Sequence, residues 1–384
     1  MTKLKTLIDE LCPNSVDYVK IGDIVDYEQP AKYIVKSTDY SDKFDTPVLT
    51  AGQTFILGYT DEKNNIYQAT KENPVIIFDD FTGAFKWVDF PFKVKSSAMK
   101  ILTADEDKTF IRYIFHIMGK IGLSSDEHKR LWISIYSEFK IPLPPLEVQR
   151  EIIRILDNFT ELTKELTKEL TLRKKQYSYY RDYLLDFGDN VEYKTLEEIA
   201  TIVRGGNFQK KDFIESGLPC IHYGQIYTHY GTYTTETLSF VSESTFNKSK
   251  TATKNNIVMA LTSENMEDVC KCVAWLGNQD IAVSGHTAII KHNQNAKFLS
   301  YYFQTQNFFY QKKKLAHGTK VIEVTANDLN KIIVPVPSIE EQERIVNILN
   351  RFDTLCNDLT NGIPAEISAR KKQYEYYRDK ILTF

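Results

Sequence analysis

Two loops in the second half of the chain concentrate side chains that hydrogen-bond well to nucleobase edges. Ile202–Phe213, IVRGGNFQKKDF, offers Arg204, Asn207, Lys210 and Lys211 around Gly205 and Gly206. Ile221–Thr235, IHYGQIYTHYGTYTT, offers His222, Tyr223, Gln225 and Tyr227. Cations neutralise phosphate, while guanidinium, amide and hydroxyl groups match the donor and acceptor patterns that distinguish base edges in a duplex. Glycines would let the backbone approach a phosphate closely. Shorter stretches add Thr262 and Ser263 in LTSEN, His286 in SGHT, and Thr319 with Lys320 in HGTK. The last follows Lys312-Lys313-Lys314, a run that faces phosphate or is simply a solvated helix end. The first half has matching places: Lys32, Tyr33 and Lys36 in EQPAKYIVKST, Gln53 in TAGQTF, Thr82 and Lys86 in DDFTGAFK, Lys95, Ser96 and Ser97 in KSSAMK, and Arg130 in HKR. Each also has a plain reading as a solvated loop, and most of the Tyr and Phe are expected in the core.

Motifs for catalysis are missing from the sequence. There is no phosphate loop and no (N/D)-P-P-(Y/F) loop of the kind adenine methyltransferases carry; Asn73-Pro74-Val75 is not one. The nuclease-like triplet Glu106–Lys108 is what a Lys- and Glu-rich chain contains by chance. Asp79 and Asp80 could in principle hold a metal, but a strand-end turn is the plainer reading. Seven histidines form no H-E-x-x-H cluster, and five cysteines form no C-x-x-C pair. Reduced thiols in a cytosolic protein follow, with Cys270 and Cys272 expected on one face of a strand. No catalytic residue, metal or cofactor is expected in this chain. A net charge of −3 argues against histone-like DNA wrapping, but local placement of cations matters more than the sum.

The candidate loops must be held by two similar bodies, because the chain is written twice. Arg173–Phe187, RKKQYSYYRDYLLDF, returns as Arg370–Phe384, RKKQYEYYRDKILTF, 197 residues later. Pro142–Phe159, PLPPLEVQREIIRILDNF, returns as Pro335–Phe352, PVPSIEEQERIVNILNRF, after only 193, so the second copy carries four extra residues between its motifs. The segments ahead of each pair share a plan. Val16–Val25 matches Val191–Ala200, Asn73–Asp80 matches Asn255–Ser263, and a helix at Phe110–Gly122, ending on a glycine cap, matches one at Phe298–Phe309. Short β runs between polar turns fill the rest, and Trp132–Pro144 reads as a further strand. With 384 residues and 42% apolar side chains there is material for two cores. No apolar run approaches the ~20 residues that span a bilayer.

Leu146–Phe187 contains no Gly or Pro and as a helix would span roughly 60 Å. Ile152, Leu156, Phe159, Leu166, Leu170, Tyr177, Tyr180 and Leu184 recur at alternating three- and four-residue steps, the spacing of a coiled-coil seam. Thr163 and Arg173 are its imperfect members. The distal copy supplies Ile345, Leu349, Phe352, Cys356, Leu359, Ile363, Tyr374, Tyr377 and Ile381, with a kink or a break and restart expected at Asn361–Pro364. Antiparallel pairing of the two helices would bury both seams. The tetrapeptide repeat ELTKELTKEL, Glu161–Leu170, is either an ordinary solvated face or a length-setting unit of roughly 6 Å each. The division that results is a first domain at 1–145, a central helix at 146–187, a second domain at 188–337 and a C-terminal helix at 338–384. It describes an α+β protein: two αβ domains separated by two long antiparallel helices in a coiled coil, with an internal pseudo-twofold repeat.

Two variable domains, each followed by a P-x-P…Q…I…IL…F helix that ends in RKKQYxYYRD, form a specific pattern. On it the chain resembles the DNA-specificity subunit of type I restriction–modification enzymes, over essentially its full length. The ELTK block is similar to the tetrapeptide repeat in the central helix of some members. The resemblance implies two target-recognition domains, each reading one half of a split double-stranded DNA site, with the helix pair setting the gap and holding two methyltransferase subunits. Candidates for that docking and for the coiled coil are Gln149, Ile152, Leu156, Phe159, Arg173, Tyr177 and Tyr180, with Gln342, Ile345, Leu349, Phe352, Arg370, Tyr374 and Tyr377. Adenine methylation, translocation and cleavage then belong to the methyltransferase and restriction/translocase partners, which would carry S-adenosylmethionine, ATP and Mg²⁺. A cytoplasmic protein without a membrane role is implied. The rivals are a stand-alone DNA methyltransferase or nuclease, and a coiled-coil scaffold with no DNA role.

Overall fold

A computed structural model describes residues 2–50, 52, 54–122 and 130–384. The chain forms two compact units: Met1–Glu165 with Ser368–Phe384, and Leu166–Ile367. The division falls within the long helices, at 165/166 inside the ELTK repeat and at 367/368.

In the first unit a four-stranded antiparallel sheet runs in the order Val25–Glu28, Met99–Ala104, Val75–Asp79, Phe85–Val88. A three-stranded sheet, Ile56–Thr60, Thr46–Leu49, Lys93–Val94, lies next to it in the chain. Alternation along Val75–Asp79 explains the layering: Ile76 and Phe78 enter one core with the helix Ile111–Ile121, while Val75 and Ile77 enter a second core with Phe92 and Val94. Ile111–Ile121 ends where Gly122 takes φ 57°, a left-handed cap that glycine adopts without strain. Trp132–Pro144 is not one strand. Leu131–Ser134 is a helical turn, Tyr136–Glu138 a 3₁₀ turn, and only Lys140–Pro142 is extended. Buried Trp132 and Tyr136 pack edge-on against Phe78, so tertiary packing overrides their β-type pattern.

The second unit repeats the layering with two five-stranded sheets. One runs Ala200–Arg204, Thr287–His292, Asn256–Ala260, Cys272–Trp275, Tyr233–Thr234; the other Phe213–Ile214, Ser239–Val241, Leu218–Ile221, Ile281–Val283, Lys250–Ala252. The expected helix at Phe298–Phe309 is two, Ala296–Tyr302 and Gln306–Leu315, because Thr305 accepts from the Phe308 N–H and caps a fresh start. Cys270 is not in the strand with Cys272: its φ is 65°, a turn before the strand begins, although both thiols are buried.

Each domain closes on itself through the same clasp. Tyr18, Val19 and Lys20 pair antiparallel with Pro142, Ile141 and Lys140; Tyr193, Lys194 and Thr195 pair in the same register with Pro335, Val334 and Ile333. The next residue continues the match, Leu143 N–H to the Asp17 carbonyl and Val336 N–H to the Glu192 carbonyl.

The long helix is continuous over Leu146–Leu184. Phe159, Thr163, Leu166, Leu170, Arg173, Tyr177 and Leu184, positions of the expected seam with Thr163 and Arg173 included, are among its less exposed residues, together with Gln176, Arg181 and Asp182. Tyr180 is the exception, 38% exposed. The C-terminal copy breaks: Ile339–Asn357 ends, and Ile363–Ile381 restarts with Pro364 in its first turn, where a missing N–H costs no hydrogen bond. Asp358 Oδ1 accepts from the N–H groups of Thr360 and Asn361 across the gap. The four extra residues are therefore spent on a capped turn.

Candidate nucleic-acid interface

In the second unit the candidate loops converge. Gly205 N–H donates to the Thr287 carbonyl and Gly206 N–H to that of Val283, so the glycine pair sits against the turn carrying His286. Tyr223 N–H donates to Ser284 Oγ at 2.9 Å, and the rings of Tyr223 and His286 lie 5.4 Å apart. Tyr227 Oη donates to the Thr262 carbonyl. The strand Thr262–Ser263 pairs with Ile322–Glu323, which brings up the Thr319–Lys320 loop, and Glu323 stands 3.8 Å from Arg204. Arg204, Asn207, Lys210, Lys211, His286, Thr319 and Lys320 are exposed, and Tyr223, Tyr227 and Ser263 partly so.

Several candidates turn inward. His222 is buried at a helix N-cap, its Nδ1 accepting from the Gly224 N–H at 3.2 Å. Burial first, then Lys210 and His286, hold the imidazole below its ordinary value, so it is neutral near pH 7 and no phosphate cation. Gln225 accepts from the His222 N–H and donates to Ser239 Oγ; it and Thr262 are buried, and so is Gly206. A Cβ on Gly205 would collide with the Ser284 carbonyl, so this glycine admits protein backbone rather than phosphate. Lys312 is also inside, donating to the carbonyls of Glu267 and Val269, which leaves Lys313 and Lys314 of that run exposed. Four polar candidates thus shape the face instead of forming it.

The first unit assembles its candidates edge to edge. Val35 N–H donates to the Val94 carbonyl and Lys95 N–H to that of Leu49, so the segments of Lys36, Lys95 and Thr50 run side by side where the strands end. Asp80 N–H donates to the Ala98 carbonyl, and Leu131 N–H to the Asp80 carbonyl, so the Ser96–Ser97 loop, the Thr82 turn and Arg130 follow one another. Lys32, Lys36, Thr82, Lys95, Ser96, Ser97 and Arg130 are exposed, Tyr33 and Lys86 half-buried; Gln53 lies outside the described residues. Asp79 and Asp80 are occupied: Asp79 Oδ1 accepts from Phe81 and Thr82, and Asp80 meets Lys100 and the Trp132 N–H, which is the strand-end turn rather than a metal seat. Among the described residues no group of acidic, His and Cys side chains could hold a metal ion, and no helix is long and apolar enough to cross a membrane.

The docking candidates sort by burial. Gln149 and Gln342 are fully buried and do the same job: each donates to the carbonyl five residues back, Pro144 and Pro337, and accepts from the backbone at a helix start, Phe110 and Asn295. Ile152, Leu156, Tyr177, Ile345 and Leu349 are core. In the first unit Phe159 stacks on Tyr377 at 5.3 Å, and in the second Phe352 stacks on Tyr180 at 5.6 Å, the repeat of the same contact. Tyr374 Oη meets His116 Nδ1 at 2.8 Å, while His116 Nε2 meets Asp157 at 3.0 Å. Arg173 and Arg370 lie alongside, each with a nitrogen on the glutamine three residues on, Gln176 and Gln373. Residues that sequence reasoning passed over face outward in the same motif: Tyr179 and Tyr183, 66% exposed and stacked on each other, and Tyr376, 60% exposed. Helical phase relative to the seam would have found them.

The two units are closed by a clasp in the same register and differ in their polar loops. The family model described as the type I restriction modification DNA specificity domain matches residues 13–172 and again 188–369. A curated relative, the type I restriction enzyme EcoR124I/EcoR124II specificity subunit of Escherichia coli, is 43% identical over 100% of this chain and 97% of its own. A putative type I restriction enzyme specificity subunit of Haemophilus influenzae is 28% identical over 73% of this chain and 74% of its own. The fold matches the type I restriction–modification system S subunit from M. genitalium with a TM-score of 0.55 at 15% identity, covering 97% of each chain. It also matches a chain from work on assembly and conformational transition of the type I system, with a TM-score of 0.57 at 16% identity over 96% of this chain and 98% of that one. The chain belongs to the type I restriction–modification specificity-subunit family, whose members are non-catalytic recognition components.

Proposed function

We propose that this chain recognises an asymmetric two-part site in double-stranded DNA, the first unit reading one half and the second the other. The observation that carries this is the pairing of clasps in the same register with unlike polar faces: Lys36, Lys95 and Arg130 on one body, Arg204, Lys210 and His286 on the other. Exposed cations supply phosphate contacts, and the hydroxyl, amide and imidazole groups between them supply base-edge contacts. The long helices set the gap, and the outward tyrosines of the repeated motif dock two copies of a methyltransferase subunit. S-adenosylmethionine, and ATP with Mg²⁺, act on the methyltransferase and on a restriction/translocase subunit. The complex works where chromosomal DNA is, in the cytoplasm.

Genome-wide mapping of N6-methyladenine with and without this gene tests the reading. A split motif with two unlike halves should vanish on deletion and return on complementation. Loss of no motif, or of one uninterrupted motif, would overturn it.

A further inference from the structure

Two lysines of the first unit lie where lysine is rarely found. Lys93 and Lys100 are 2% and 1% exposed, and they bracket the exposed loop of Lys95, Ser96 and Ser97. A buried ammonium is strongly unfavourable unless it is paired. Each of these meets a carboxylate that also grips the backbone of another candidate segment. Lys93 Nζ is 3.0 Å from Glu62 Oε2 and donates to the carbonyls of Asn64 and Asn65 at 2.9 and 3.3 Å. Glu62 Oε1 accepts from the N–H groups of Lys36 at 2.8 Å and Ser37 at 3.0 Å. Lys100 Nζ is 3.3 Å from Asp80 Oδ2 and 4.3 Å from the centre of the Tyr27 ring. Asp80 Oδ1 accepts from the Trp132 N–H at 2.8 Å, two residues after Arg130.

Stability alone does not call for this arrangement, since well-packed apolar side chains commonly replace a buried ion pair without loss. What an apolar pair cannot do is hold backbone N–H groups in a fixed direction. The groups held here belong to the segments that present Lys36 and Arg130, and the lysines themselves anchor both ends of the Lys95 loop. We propose that Lys93–Glu62 and Lys100–Asp80 are positioning pairs that set the base preference of the first unit from beneath its surface, touching no DNA. The inference rests on the reading of that unit as one of two DNA readers. In the second unit the matching ties are made by hydroxyl and backbone groups, Tyr223 N–H to Ser284 Oγ at 2.9 Å and Thr287 Oγ1 to the Ser284 carbonyl at 2.6 Å. Substitutions of Lys93 and Lys100 therefore act on the half-site of the first unit alone.

The test uses the full chain co-expressed with its methyltransferase subunits, with methylated-adenine motifs mapped for wild type, Lys93→Met, Lys93→Arg, Lys100→Met and Glu62→Gln. Lys93→Met and Lys100→Met should lower discrimination in the first half on the order of tenfold at one or more positions, leaving the second half and the gap unchanged. Lys93→Arg, which keeps the cation, should restore part of it, and Glu62→Gln, which keeps an acceptor for the two N–H groups, should fall between. An unchanged first half in variants that melt like wild type would overturn the proposal. Equal loss in both halves, tracking a lowered melting temperature, would overturn it too. If wild type itself yields no split motif, the DNA-reading function fails and the positioning role falls with it; a wild-type motif with unmoved variants removes the positioning role alone.

Discussion

His222 illustrates what a side chain's type leaves undetermined. As a letter it is a base-edge donor; in the fold it caps a helix, accepts an N–H and sits beside Lys210. Gln225 and Thr262 follow it inward, whereas Arg204, Lys210 and Lys211 stay exposed. A polar residue in a turn looks the same whether it faces water or satisfies backbone, which is why the face was legible as a set of loops and not residue by residue. Buried histidines also carry a consequence for pH. Burial lowers the pKa of His116 and His222, and takes His292 from 6.5 to about 4. The folded groups are neutral, so the unfolded chain binds more protons once pH drops below its own pKa, and stability rises with pH. Their contribution is present above the unfolded value and is lost as pH falls toward the folded one. For His292 the loss should be on the order of 3 kcal/mol between pH 6.5 and 4. Urea melts across that range should show it, and His292→Gln should flatten the profile.

At the scale of elements, periodicity was the reliable guide. The seam of Leu146–Leu184 was readable because a two-sided helix repeats its apolar positions in phase, and Phe159 and Phe352 find their tyrosines as the repeat requires. Trp132–Pro144 and Phe298–Phe309 were not, because a short apolar run carries no period long enough to separate strand from helical turn, and one cap such as Thr305 resets a helix. Within the ELTK block, Glu161 and Lys164 stand 3.5 Å apart with both side chains more than half exposed, so their pair adds little to stability. In the proposed reading the block acts through length. Removing Glu161–Lys164 should shorten the helix by about 6 Å and the preferred gap by about two base pairs, with both half-sites unchanged. Motif mapping of the deletion strain would show an unaltered gap if the helix were not the ruler.

For the whole molecule, function follows from doing one thing twice with different surfaces. Replacing 188–337 by the corresponding segment of another family member should change one half of the methylated motif and leave the other intact; a change in both would mean the units do not read independently. The clasp explains why such an exchange is structurally mild. Tyr18–Lys20 with Lys140–Pro142, and Tyr193–Thr195 with Ile333–Pro335, are interchangeable ladders in the same register, each sealed by a glutamine in the following helix. A graft cut at those ladders leaves no orphaned backbone at its ends. The same ladders make recombination between the two halves of a single gene productive: a descendant carrying the Tyr193–Pro335 cassette in both positions would be a folded protein demanding a site with two identical halves, a new specificity reached without a single new contact having to evolve.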